Sequence, residues 1–220
     1  MDFNSIITYV ASFGHIFTPD MWLIIDQYFK TILVFSHFLL SAFALISILT
    51  SDYIFLKNYN VPLTKESMHH LESIKDTTLW SLFGLILTGT MIVIYGMVRD
   101  PAFMLNPKLY AKFMVVGILT LNGFFVHHYS DKLNENMIIA YIPGSLSKKL
   151  CYFGAISSTS WVWACFLGVA RAWNKTMDWA LISVYYFGTL VAALAAAQLF
   201  HNMVVHYSRK AVDHANSKGK

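Results

Sequence analysis

The stretch TILVFSHFLLSAFALISILTSDYI, residues 31–54, decides the fold. It carries no lysine or arginine, and at helical rise it is long enough to cross a hydrocarbon layer of about 30 Å. Four further segments read the same way, at residues 77–98, 111–129, 150–173 and 179–207. Five such spans predict an all-α integral membrane protein, a five-transmembrane-helix bundle.

Composition points to the same class. In a chain of 220 residues, 56% are hydrophobic and only 13% charged, which leaves too little polar surface for a soluble domain. Ahead of the first span, Phe3, Ile6, Ile7, Val10, Phe13 and Phe17 recur at helical spacing and stop at Thr18, Pro19 and Asp20. This predicts a short amphipathic interfacial helix over 1–18, with His15 at headgroup level, then a membrane domain over 19–208 and a cytoplasmic tail over 209–220. Asp2 stands where a signal peptide would carry a basic cluster, so no cleavable signal is expected. Pro62, Thr64 and Glu66 mark a helix start well before the apolar part of the second span.

Charge distribution gives an orientation. Lys30, Arg99, Lys108, Lys112, Arg171 and Lys175 fall on one side of a five-pass chain, and the other ten of the 16 lysines and arginines fall on the opposite side. The positive-inside rule then predicts the N-terminus outside and the C-terminus cytoplasmic. Anionic lipid headgroups account for the net charge of +4, and no nucleic acid is implied. Cys151 and Cys165 lie on one helix about 21 Å apart and cannot bridge each other.

Within the apolar spans the histidines stand out, because an ionisable side chain at membrane depth is costly. His37 sits in Phe35-Ser36-His37-Phe38, about 10 Å past Lys30 along the helix. His127 and His128 close the third span, and His201 and His206 lie near the end of the fifth. Neighbouring helical residues point about 100° apart, so one of His127 and His128 is expected to face the bundle and the other to snorkel. His128 and His201 fall about 6 Å and 12 Å inside the same face, a difference that tilt absorbs. Lys112, at the opposite face, either snorkels or meets an acidic group near His37. Gly188, Ala192 and Ala196 form a small-residue face on the fifth span, suited to close helix packing or to a flat macrocycle.

Taken together, His37, Leu87-Thr88-Gly89, Lys112 and His127 or His128 give residues 30–130 a resemblance. The segment resembles the bacterial copper-resistance D proteins and the small membrane protoporphyrinogen oxidases. These share an early helix with an intramembrane His, a Thr-Gly step in the next helix, and a helix that begins with Lys and ends near His. The resemblance implies a bacterial inner membrane location, with haem b near the His and Lys positions in the oxidase branch and metal passage or binding in the copper branch. Here a fifth helix with His201 and His206 is added.

The leading functional expectation is a haem b protein of electron transport, with one or two haems and a haem-dependent oxidoreductase activity as its enzymatic form. The first pair of iron ligands would be His127 or His128 with His201, and His37 with Lys112 would mark a second site. Its partners would be membrane lipids and a quinone or redox protein, and an oligomer is compatible with the pattern. One alternative is a non-haem iron or copper enzyme built on a cytoplasmic-face cluster that includes His69, His70, His127, His128, His201 and His206. The other is a copper or proton transporter, for which Met91, Met97, Met104 and Met114 offer soft ligands.

Overall fold

Residues 19–134, 136–139, 142 and 146–218 are described by the computed structural model, with side chains described for all of these except 19, 20, 22 and 207–218. The predicted interfacial helix, with His15, lies outside them. Five long helices follow in order: α1 (Pro19–Lys57), α2 (Lys65–Arg99), α3 (Pro107–Ser130), α4 (Leu146–Val169) and α5 (Trp179–Lys218). Each is long and apolar enough to cross a membrane, and no strand occurs among the described residues.

Local chemistry sets the helix starts. Thr64 caps α2, its hydroxyl accepting a hydrogen bond from the Ser67 amide at 3.1 Å, and Glu66 sits in the first turn where the helix dipole favours an acid. Asn106 caps α3 and Pro107 occupies its first position, where a missing N–H costs nothing. This cap starts α3 four residues before the hydropathy boundary at Ala111. α4 stops at Val169 rather than Trp173, and Arg171–Trp173 forms a separate 3-10 turn. α5 continues as helix past Tyr207 to Lys218, through the stretch read as a tail. α2 spans 35 residues, about 52 Å at helical rise, so it outruns a hydrocarbon core of about 30 Å.

α1 packs along α2, and α4 occupies the centre, touching α1, α3 and α5. Three clusters hold this arrangement. Ala44, Leu119 and Trp161 join α1, α3 and α4 at mid-bundle, and Ala111, Val115, Leu167, Ile182 and Tyr186 join α3, α4 and α5. The third, Tyr59, Leu63, Leu133, Ile139, Leu150 and Cys151, closes the end where the 58–64 and 131–145 connections meet. There the Leu63 amide donates to the Met137 carbonyl, and the Asn136 amide donates to the Leu63 carbonyl, both at 2.9 Å. Asn136 adopts a left-handed φ of 65°, a conformation that asparagine tolerates better than most residues.

Outside these clusters the helices turn large apolar side chains outward. Trp80 is 72% exposed and Phe124 71%, alongside Phe35, Phe38, Phe83, Val162 and Val184. A continuous apolar exterior of this kind is stable against lipid and not against water. Gly188, Ala192 and Ala196 also lie on that exterior, and a Cβ added at Gly188 would meet nothing within 4 Å. Among the described residues, the small-residue face is therefore not a helix contact.

At the opposite end from the Tyr59 cluster, Lys108 is buried, its ammonium donating to the Ala170 carbonyl at 2.6 Å and to Asn174 Oδ1 at 3.1 Å. A cation at a helix C-terminus answers the carbonyls left without intrahelical partners. Lys108→Met should lower the unfolding free energy by about 1–3 kcal/mol, the cost of orphaning a buried acceptor. The thermal midpoint of the detergent-purified protein is the readout, and an unchanged midpoint would rule out the tie.

Candidate functional site between the first two helices

His37 is half-buried on α1, and its Nδ1 lies 2.8 Å from Thr88 Oγ1 on α2. The tautomer of His37 decides the direction of that bond. A threonine hydroxyl has one proton, and Thr88 Oγ1 also lies 2.7 Å from the Gly84 carbonyl one turn back. Where that proton goes to Gly84, Thr88 Oγ1 accepts from His37 Nδ1–H. The imidazole then holds its proton on Nδ1 and presents a bare lone pair on Nε2, the form of histidine that binds a metal.

The adjacent residues keep this imidazole accessible. Gly89 lies against the ring, where an added Cβ would come 3.4 Å from His37 Cε1, and a longer side chain would cover the imidazole. Lys112, half-buried near the start of α3, is close enough to His37 to act on it electrostatically. Among the described residues its ammonium has no carboxylate or hydrogen-bond acceptor. His37, Thr88 and Gly89, drawn from two helices, thus lie together, with the Lys112 charge of α3 within electrostatic range.

The other predicted ligands are spread along the far end of the bundle. His127 is exposed, with Nε2 3.9 Å from Asp131 one turn on, and His128 is exposed with its ring against Tyr129. His201 is half-buried, with Nδ1 2.6 Å from the Tyr59 hydroxyl and 3.4 Å from Ser147 Oγ. No hydrogen bond or ring contact joins His201 to His127 or His128. His70 is exposed, 3.8 Å from Glu66, and His69 lines an open groove of about 620 Å³ with Leu40, Glu72, Asp76 and Trp80. Among the described residues no three His, Cys, Asp or Glu side chains converge as a metal cluster.

Lys75 hydrogen-bonds Asp131 at 2.8 Å, which holds that carboxyl below the usual carboxylate range. A depressed carboxyl value stabilises the fold above its unfolded value of about 4, and the contribution disappears as pH falls through the folded value. The pair is exposed, so the effect is small. Acidification through that window should lower the thermal midpoint of the native protein slightly more than that of Lys75→Ala, and equal slopes would show the bridge to be inert.

Sequence reading missed Tyr59, which is 1% exposed and central to the polar cluster with Ser147, Cys151 and His201. Burial pushes its hydroxyl well above the ordinary tyrosine value, so the phenol keeps its proton. A signal was present in the chain: Ser147, Cys151, Gly154 and Ser158 recur at intervals of four, three and four, a small polar stripe along one face of α4.

Comparison with protein-family models, with curated proteins and with solved structures finds no match to this chain. Its class accordingly rests on the fold itself, a five-helix membrane bundle with a histidine hydrogen-bonded to Thr88 inside its first helix.

Proposed function

We propose that this protein binds haem b through His37 and serves in membrane electron transfer. The observation that carries the reading is the contact of His37 Nδ1 with Thr88 Oγ1, which itself lies 2.7 Å from the Gly84 carbonyl, an arrangement in which Nδ1 would carry the proton and Nε2 would be free to ligate. Bound haem supplies a one-electron carrier whose potential the surrounding polypeptide sets. His37 would hold the iron, Thr88 would orient the imidazole and raise its basicity, and Gly89 would keep the ring uncovered. Lys112 would pair with an acidic edge group through a charge-assisted hydrogen bond.

The resemblance to the copper-resistance D and small protoporphyrinogen oxidase proteins supports the same four residues. A second haem at His201 draws less support, because that imidazole is engaged by Tyr59 and Ser147. The resemblance supports a bacterial inner membrane, and the lysine and arginine asymmetry supports a cytoplasmic C-terminal end, which would set His37 in the outer half. A membrane quinol or an external redox protein would then exchange electrons with the site.

A reduced-minus-oxidised absorption spectrum of the detergent-purified chain tests this. The expected result is a Soret band with sharp b-type bands on reduction. A helical, monodisperse protein that stays colourless after haemin is supplied would refute it.

A further inference from the structure

Asp52 is the acid that the apolar part of α1 retains, and its polar neighbour among the described residues is Ser158 of α4, within hydrogen-bond reach of Asp52 Oδ2. Ser158 is the thirteenth of the 24 residues of α4, about 18 Å along that helix and near its midpoint. Gly154 makes the space, since an added Cβ would lie 3.4 Å from Asp52 Oδ1. The helices packed on α1 are α2, α4 and, through Leu119 against Ala44, α3. From α4 the carboxyl meets Ser158 and Gly154, neither of which titrates. From α2 and α3 no lysine, arginine, histidine or acid bonds or ion-pairs with it among the described residues. A carboxylate placed so, with no cation, is costly at membrane depth.

Proton counting assigns the state. Ser158 Oγ also lies 3.0 Å from the Gly154 carbonyl, and a serine hydroxyl has one proton to give. If it goes to Gly154 while Asp52 is ionised, Ser158 Oγ and Asp52 Oδ2 face each other as two acceptors. If it goes to Asp52, the contact with the Gly154 carbonyl has no proton in it. Both contacts become hydrogen bonds only when the carboxyl carries a proton, donating it to Ser158 Oγ while Ser158 donates to Gly154.

We propose that Asp52 is a proton-binding site in the middle of the bundle, occupied at neutral pH and held by Ser158 and Gly154. The site is independent of the haem reading. Its direct signature is the carbonyl stretch of an un-ionised carboxylic acid, which infrared spectroscopy resolves from the amide band in an ester-free detergent.

The full-length native chain should show that acid band at neutral pH. The band should be lost in Asp52→Asn and retained in Glu72→Gln. Ser158→Ala should keep the band but move it to higher frequency as the hydrogen bond is removed. Absence of an acid band in the native protein overturns the proposal whether or not Asp52→Asn folds. A band that survives Asp52→Asn, or that does not move in Ser158→Ala, overturns it equally.

Discussion

His37→Ala is expected to leave the purified protein without haem while its helical content and thermal midpoint stay near those of the native chain. In the proposed site the imidazole would supply the ligand nitrogen, and no other residue of the His37, Thr88, Gly89 and Lys112 group has one of that kind. Thr88→Val tests the orienting role separately. It keeps the shape and removes the acceptor for Nδ1–H, so the ring can turn and change tautomer. Loss of such a partner typically weakens metal-site affinity by about 10–100-fold. Thr88→Ser, which restores a hydroxyl, should recover most of that loss. Haem retained at native affinity in His37→Ala would remove the first helix from the site.

Tyr59→Ala should be the most destabilising single change in the described structure. The ring fills the closed end of the bundle, meeting Phe55 and Phe200 edge to face, and its hydroxyl joins Ser147 and His201 at 2.6 Å each. Truncating a buried aromatic to alanine costs about 3–5 kcal/mol through lost contacts and the cavity left behind. Tyr59→Phe keeps the ring and orphans the partners, for about 1–3 kcal/mol. Unfolding curves of the three proteins in one detergent separate the two contributions. Equal stability of Tyr59→Ala and the native chain would mean that the 58–64 connection does not lock the bundle.

The fold was legible because hydropathy is a property of each side chain taken alone. A run such as residues 31–54 has few alternatives to a lipid-facing helix, and Thr64 announces its cap within three residues of sequence. Pairings across helices carry no such local signal. His37 was conspicuous as an imidazole in an apolar run, yet its partner Thr88 lies 51 residues away, and nothing in the spacing says that the two meet. Lys108 read as one more loop cation because sequence assigns a lysine to solvent by default. Its burial depends on Ala170 and Asn174 arriving from the far side of α4. Tyr59 was hidden in a polar connection for the same reason. The predicted ligand pair of His201 with His127 or His128 used depth alone, and depth fixes level but not direction. In the structure His127 and His128 face outward and His201 turns to Tyr59.

The central claim is that Thr88 fixes His37 as a metal-binding imidazole. Titrating haemin into the purified chain, with the native protein, His37→Ala and Thr88→Val compared in one detergent, tests it most directly. The account predicts saturable binding with a histidine-ligated spectrum for the native protein, none for His37→Ala and weakened binding for Thr88→Val. Identical binding curves for all three would contradict it.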